Sequence, residues 1–228
     1  MNPRHHLPAA PRAAFTLIEL LTVIAIIAIL MGLLMSAIGG AKDQARRAEA
    51  GATIKNIVNA SKNYATEYGK FPPVDATATT VYTFGEKGKG FARDNSDLFN
   101  VLRAIATGQN TGHVLNKRQQ KYFEGPKARD TKNPRSGFTD GSGYAGGVPQ
   151  GALMDPWGTQ YCVILDATGN DEIAASDVQK FYKDLDIIRM SAIAFSLGKD
   201  GIIGGKGYEG NYRKPNSSEA PDDIVSWQ

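Results

Sequence analysis

The chain has 228 residues, of which 42% are hydrophobic and 21% are charged, and its formal net charge is +3. This length has room for one modest globular domain beside a membrane anchor. The single cysteine, Cys162, excludes an intrachain disulfide. The sequence has few histidines and no Walker A or GxSxG pattern, so it gives no basis for predicting a catalytic site. We therefore expect a protein that is not an enzyme.

Residues 15–38 form an apolar run whose only charged residue is Glu19. As a helix the run extends about 36 Å, enough to cross a bilayer core of about 30 Å. A lone ionised side chain in such a segment costs about 3 kcal/mol to insert, which makes Glu19 a candidate functional residue. Arg4 and Arg12 precede the run, so we expect that end in the cytoplasm and the rest of the chain outside. An ordinary signal anchor with a tolerated Glu is the alternative.

The stretch from Ala14 to Leu21 resembles the N-terminal signature of type IV prepilins and type II secretion pseudopilins. In that family a prepilin peptidase removes a short basic leader just before a Phe, methylates the new amine, and leaves Glu as the fifth mature residue. The resemblance places the cut between Ala14 and Phe15, although the family usually has Gly where this chain has Ala14. It also implies that Glu19 neutralises the amine of an adjacent subunit during filament assembly. Removal of the leader leaves 24 basic and 23 acidic residues, a net charge of +1.

Beyond the run, residues 54–68 carry apolar side chains at three- and four-residue spacing, which is typical of one face of an amphipathic helix. We expect one helix that begins in the membrane and continues into the soluble domain. Gly69 and the prolines at 72 and 73 are expected to end it.

The rest of the chain favours short elements. Residues 79–84 favour a strand, residues 97–107 a helix capped by Ser96, and residues 115–123 a second short helix. Strand composition returns at residues 160–165 and 187–196. Between these two segments lies an acidic loop, residues 166–172, which begins like an EF-hand but lacks its Gly at the sixth position, so we expect a polar turn there. The simplest packing is a small antiparallel sheet laid on the long helix, an α+β fold that resembles the pilin fold.

Two motifs near the C-terminus narrow the resemblance. Residues 155–161 (DPWGTQY) look like the turn that leads into the sheet of the major, G-type pseudopilin of type II secretion systems. Residues 196–201 (SLGKDG), followed by residues 222–227 (DDIVSW), look like that family's calcium loop. Calcium prefers six to eight oxygen ligands, and a solvated acidic C-terminus is the alternative. The implied ligands are the Asp200, Asp222 and Asp223 carboxylates, the Leu197 and Val225 carbonyls and the Ser226 side chain.

The resemblance implies a structural subunit of a pilus-like filament, the major pseudopilin of a type II secretion system. Its partners would be other copies of the chain, prepilin peptidase, the inner-membrane assembly platform and minor pseudopilins. The chain would cross the inner membrane once, with its C-terminal domain in the periplasm. The expected segments are a leader (1–14), a transmembrane assembly helix (15–38), its amphipathic continuation (39–71), a variable region with a short helix and loops (72–153), and the sheet with the calcium loop (154–228).

Two other functions stay open. A type IV pilin for adhesion, motility or DNA uptake would use basic residues in the middle of the chain, where residues 74–135 carry 11 Lys and Arg against 6 Asp and Glu. Such clusters are more often solvated surface, so nucleic-acid binding is not expected. An anchored domain that never polymerises would not need Glu19. The basic candidates are Lys117, Arg118, Lys121, Lys127, Arg129, Lys132 and Arg135.

Overall fold

The structure is a computed structural model that describes residues 16–72, 80–183, 185–204 and 222–227. The chain divides into two compact units, Met1–Ala45 and Arg46–Gln228, and the long helix α1 (Leu17–Tyr68) contributes to both. The expectation of a long apolar N-terminal helix that leads into a domain with a small antiparallel sheet is confirmed.

In the first unit, the large apolar side chains of α1 are exposed. Leu17 is 84% exposed and Met35 is 79% exposed, and the other Leu, Ile, Val and Met side chains described up to Ile38 are also exposed. Among the described residues, α1 is the one helix that is long and apolar enough to cross a membrane, with a mean hydropathy of 2.8 over its most apolar window. Such a surface is compatible with lipid or with other apolar helices, and not with water.

In the second unit, one face of α1 is buried. Ile54, Ile57, Val58 and Tyr64 are nearly inaccessible, as their spacing predicted. The helix ends at Tyr68, and Gly69 follows in the left-handed region with φ of +70°. This is the helix end that the sequence predicted, because glycine adopts that conformation without a Cβ penalty.

A four-stranded antiparallel sheet has the order β1-β4-β5-β6. A separate antiparallel pair joins β2 and β3. The strands are β1 (Val81–Phe84), β2 (Gly137–Phe138), β3 (Leu153–Met154), β4 (Cys162–Asp166), β5 (Ala192–Ser196) and β6 (Ile224–Val225), and the short helices are α2 (Asn95–Leu102) and α3 (Ala175–Val178).

Both faces of the central strands are covered. Val163 and Leu165 of β4 pack with α1 and α2 in what we call the helix-side core. Their alternate neighbours Cys162 and Ile164 pack with residues 173–188 in the far-side core. Successive side chains of a strand point to opposite faces, so this double burial explains why β4 reads as a continuous apolar run. The chain between β4 and β5 therefore contains a covering layer, at residues 173–183 and 185–188, in addition to the polar turn that we expected at residues 166–172.

Two local predictions in the variable region were wrong. Helix α2 begins after Asp94 and ends at Leu102, so Ser96 lies inside it. Residues 115–123 form no helix, because the Asn116 side chain takes the place of helical backbone bonds. Its amide nitrogen donates to the carbonyls of Val101 and Gln120, and its oxygen accepts from the Gln120 N–H.

The buried Asn95 side chain fastens α2 to β3. Its Nδ2 donates to the carbonyls of Leu153 (2.8 Å) and Tyr161 (3.0 Å), and its Oδ1 accepts from the Leu153 N–H (3.1 Å). The Asn95 N–H donates to Gln160 Oε1 (3.0 Å). Asn95 is fully buried, so these groups have no water to replace a lost partner.

We predict that Asn95→Ala lowers the free energy of unfolding by about 3 kcal/mol, because it leaves buried backbone groups of residues 153 and 161 without partners. Denaturant unfolding of the full-length chain in detergent, followed by tryptophan fluorescence, measures the change. Asn59→Ala, on the exposed face of α1, is the matched control and should stay within about 0.5 kcal/mol of wild type. Equal losses in the two variants would contradict the role of Asn95.

Candidate functional site

Glu19 lies in the first turn of α1 and is hydrogen-bonded to Thr16. The Thr16 N–H and hydroxyl donate to Glu19 Oε2 at 3.1 and 2.9 Å, and the Glu19 N–H donates to Thr16 Oγ1 at 3.3 Å. This reciprocal arrangement is a capping box, which satisfies backbone donors that a helix start leaves unpaired. The Thr-x-x-Glu spacing before an apolar run signals such a box, and our sequence analysis missed it. Ala14 and Phe15, the predicted cleavage residues, lie outside the described residues.

The second site is built on Asp155, whose carboxylate is fully buried in the turn of the DPWG motif. Its Oδ1 accepts from the N–H groups of Trp157, Gly158 and Thr159 at 2.8–2.9 Å. Its Oδ2 accepts from the Thr159 hydroxyl at 2.6 Å. Gly158 has φ of +102°, a conformation that glycine adopts readily.

Asp155 also reaches the end of β5. The Ser196 hydroxyl donates to Asp155 Oδ2 at 2.6 Å, and the Gly198 N–H donates to Ser196 Oγ at 3.2 Å. Gly198 has φ of +64°, and a Cβ there would lie 2.4 Å from the Asp222 carbonyl oxygen. A chain of contacts thus leads from the Asp155 turn to the C-terminal segment, and it requires glycine at position 198.

Three of the six predicted calcium ligands converge beside Gly198. Asp222 Oδ2 accepts from the N–H groups of Lys199 and Asp200, the latter at 2.9 Å. Asp223 Oδ2 accepts from the Tyr182 hydroxyl at 2.7 Å and from the Gly204 N–H at 2.8 Å. Asp200 Oδ1 accepts from the Ile202 N–H at 2.8 Å, which shapes the loop itself.

The other three predicted ligands are placed differently. Leu197 is buried directly before Gly198, so its backbone is adjacent to the acidic residues. Val225 pairs with Phe195 in the sheet. Ser226 lies at the far end of the C-terminal segment from Asp222, where it exchanges hydrogen bonds with Ala194 through both its backbone and its side chain. The structure therefore groups Leu197 with the three aspartates and does not bring Ser226 to them.

One of these carboxylates, Asp223, has features that fit a bound cation. The pKa of Asp223 is raised to about 7, chiefly by burial. Hydrogen bonds from the Gly204 N–H and the Tyr182 hydroxyl lower this pKa, and the nearby Asp222 and Asp200 carboxylates raise it. Asp223 Oδ1 is buried without a hydrogen-bond partner among the described residues. A cation would satisfy that oxygen and favour the ionised carboxylate. Within the described part of the chain, no three His, Cys, Asp or Glu side chains are arranged to hold a metal ion, so backbone carbonyls would have to complete the shell.

Comparison with known proteins identifies the N-terminal segment. Residues 10–35 match the family model described as the prokaryotic N-terminal methylation motif. The chain carries a prepilin-type methylation motif. No curated protein and no solved structure matches the chain. The motif supports a prepilin-like subunit of a pilus or pseudopilus, processed by prepilin peptidase, and the apolar part of α1 indicates membrane anchoring.

The acidic loop of this prepilin-like chain at residues 166–172 is stabilised from within. Asp166 Oδ1 accepts from the Thr168 N–H and hydroxyl, both at 2.7 Å, and its Oδ2 accepts from the Asp171 N–H at 2.9 Å. The Asp166 carboxylate thus organises the turn through local hydrogen bonds.

The seven basic residues that are candidates for nucleic-acid binding do not all lie in the same environment. Two of them are in ion pairs, Arg118 with Glu67 and Lys121 with Glu124. Three others line one open groove of about 650 Å³ that also contains two carboxylates, Glu49 and Asp130. The three groove cations are Lys127, Arg129 and Arg135.

We predict that Gly198→Ala disrupts the C-terminal segment of the prepilin-like chain, because the new Cβ would overlap the Asp222 backbone. Gly169→Ala is the matched control, since Gly169 also has a left-handed φ of +79° but no atom within 4 Å of the added Cβ. Both variants incur the conformational strain, of about 1 kcal/mol, and only Gly198→Ala adds the overlap. Limited proteolysis and thermal unfolding of the full-length chain in detergent compare them, and equal behaviour would contradict the close approach.

Proposed function

We propose that this chain is the major pseudopilin of a type II secretion system, a structural subunit and not an enzyme. The observation that carries the proposal is the contact chain from Asp155 through Ser196 and Gly198 to Asp222. It joins the two motifs that resemble the major pseudopilin, so they act as one unit that holds the C-terminal segment on the sheet. This arrangement supports the secretion assignment over a generic prepilin-like function.

Filament assembly follows from the N-terminal part of α1. The exposed apolar side chains of its first part pack against the same segment of neighbouring subunits once they leave the membrane, and apolar burial drives this association. Prepilin peptidase frees the Phe15 amine, which is a cation. Glu19 of one subunit neutralises the amine of the next, which lowers the cost of holding both charges in an apolar core.

Calcium stabilises the C-terminal segment in this proposal. Asp200, Asp222 and Asp223 would hold the ion together with the Leu197 carbonyl and further backbone oxygens, once the two segments move to bring the three carboxylates together. Because these carboxylates repel each other, a divalent cation would favour the arrangement in which the two segments are close. The chain crosses the inner membrane once, with this loop in the periplasm, and works with the assembly platform and minor pseudopilins.

A type IV pilin for adhesion, motility or DNA uptake is the second candidate. The observation behind it is the groove that contains Lys127, Arg129 and Arg135, since such cations can contact phosphates, although Glu49 and Asp130 in the same groove oppose that contact. The ion pairs of Arg118 and Lys121 reduce the number of basic side chains available for such contacts.

Secretion and assembly in a deletion strain test the proposal. We expect that loss of the gene stops secretion of the system's substrates into the medium and that the wild-type gene restores it. Glu19→Ala should restore neither secretion nor filaments, although the protein still enters the membrane. Immunoblots of secreted substrate and of sheared filaments measure both results. Intact secretion in the deletion strain, with loss of adhesion, motility or DNA uptake, would favour the type IV pilin instead.

Thr16→Ala is the matched control for Glu19. It removes the capping box and costs the helix about 1 kcal/mol, but it keeps the carboxylate. We expect it to assemble filaments. If Thr16→Ala and Glu19→Ala fail to the same degree, Glu19 acts as a cap and not as an assembly contact.

Calcium addition tests the metal site. Extracellular calcium modules bind with Kd of about 10⁻⁴ to 10⁻³ M, so 10 mM Ca²⁺ should stabilise the full-length chain by about 1.4–2.7 kcal/mol relative to EDTA. Asp222→Asn should remove most of this shift, whereas Asp171→Asn, in the other acidic loop, should keep it. Thermal unfolding in detergent measures the shifts, with Mg²⁺ as the ion control. An unchanged shift in Asp222→Asn would place the ion elsewhere.

A further inference from the structure

Two oppositely charged surface segments lie in the second unit. Residues 117–135 carry seven Lys and Arg against two Asp and Glu, whereas residues 166–186 carry six Asp and Glu against two Lys. The basic segment is anchored by Phe123, which belongs to the helix-side core. The acidic segment is anchored by Ile173, Val178 and Tyr182, which belong to the far-side core. The two segments are therefore anchored in different cores of the second unit.

The basic side is a groove with unpaired cations. Lys127, Arg129 and Arg135 line it and are exposed, and none of the three forms an ion pair with a described carboxylate. Asp130 lies in the groove, but its Oδ1 accepts from the backbone N–H groups of Lys132 and Asn133. Glu49 is the second carboxylate of the lining. We call the set of three cations the basic groove.

The acidic side is a cluster of exposed carboxylates at the edge of clefts, where Asp171 shares a lining with Lys62, Lys70 and Arg189 and Asp186 shares one with Arg189. Asp171, Glu172 and Asp186 are exposed, and they flank an antiparallel bridge between Ile173 and Ile188 whose two backbone hydrogen bonds are 2.9 and 3.0 Å long. Among the described residues, Glu172 forms one ion pair, a long one with Arg189 at 3.9 Å, and the Arg189 side chain is largely in solvent. We call these three carboxylates the acidic ridge.

We propose that the basic groove binds the acidic ridge of a second copy of this chain. The two surfaces are anchored in different cores, and none of the ion pairs among the described residues joins them within one subunit. A contact between two different patches of identical molecules is heterologous, and when its rotation does not close it generates a helical filament. The inference rests on the proposed filament and adds a contact between globular domains to the packing of the N-terminal helices.

The composition of the groove favours this partner over nucleic acid. Three cations interleaved with two carboxylates match a short acidic surface, whereas a phosphate backbone with a charge every few ångströms would be repelled by Glu49 and Asp130. Exposed ion pairs are individually weak and sensitive to salt. The contact accordingly sets the register and orientation of neighbouring subunits, while the apolar helices supply most of the affinity.

Cysteine crosslinking of filaments made by the full-length chain tests the contact directly. The native Cys162 is fully buried, so introduced cysteines report without background. We expect Arg129→Cys combined with Glu172→Cys to give disulfide-linked oligomers on oxidation, while each single variant stays monomeric on a non-reducing gel. Lys117→Cys combined with Glu172→Cys is the matched control, because Lys117 is exposed and is not part of the groove lining.

Charge reversal tests whether filament assembly depends on this contact. Arg129→Glu or Glu172→Arg alone should lower the yield of sheared filaments about fivefold, and the double swap should restore it. Arg189→Gln controls for the loose contact that Glu172 loses, and it should assemble normally. Normal filaments in both single reversals, without crosslinking, would overturn the contact and leave the filament assignment intact.

Two further outcomes separate the possible failures. If the wild-type chain forms no filaments, the proposed function and this contact are both contradicted. If the double swap fails to restore filaments, and Arg129→Glu instead abolishes salt-sensitive binding of a fluorescent DNA duplex, the groove is a nucleic-acid surface and the subunit contact is overturned.

Discussion

The buried carboxylate of Asp155 is the interaction on which the soluble domain depends most. A buried charge is costly unless it is compensated, and here hydrogen bonds from three backbone N–H groups and two hydroxyls provide the compensation. Four of these bonds close a turn directly before β4, and the fifth comes from the end of β5. One side chain therefore fixes where two central strands lie relative to each other, and through Gly198 it fixes the position of the C-terminal segment as well.

The two central strands of the sheet have no face left for solvent, and this limits where function can reside. β4 and β5 are buried along their whole length, so any contact with a partner must come from the layers that cover them. On the helix side those layers carry excess positive charge, and on the far side they carry excess negative charge. The described part of the variable region, residues 80–153, is thus part of the packed domain, to which Asn95 and Asn116 fasten it.

The long-range outline of the fold was predictable, and the local details were predictable only where backbone periodicity determines them. The helix face at Ile54, Ile57 and Tyr64 and the helix end at Gly69 follow from spacing and from glycine conformation, so they were predicted correctly. The absent helix at residues 115–123 was not predictable, because it depends on a tertiary bond from Asn116 to Val101. In the C-terminal site, the grouping of Asp200, Asp222 and Asp223 followed from motif order, whereas the position of Ser226 depends on strand register, which a sequence pattern does not specify.

The contact between Gly204 and Asp223 also bears on how firmly the C-terminal segment is attached. The Gly204 N–H donates to Asp223 Oδ2 at 2.8 Å, and β6 pairs with β5 in the sheet. The C-terminal segment is thus held by non-covalent contacts that do not depend on the covalent chain between residues 204 and 222. A protease cut between these two residues would therefore leave β6 attached to the sheet, and the two fragments would separate only on unfolding.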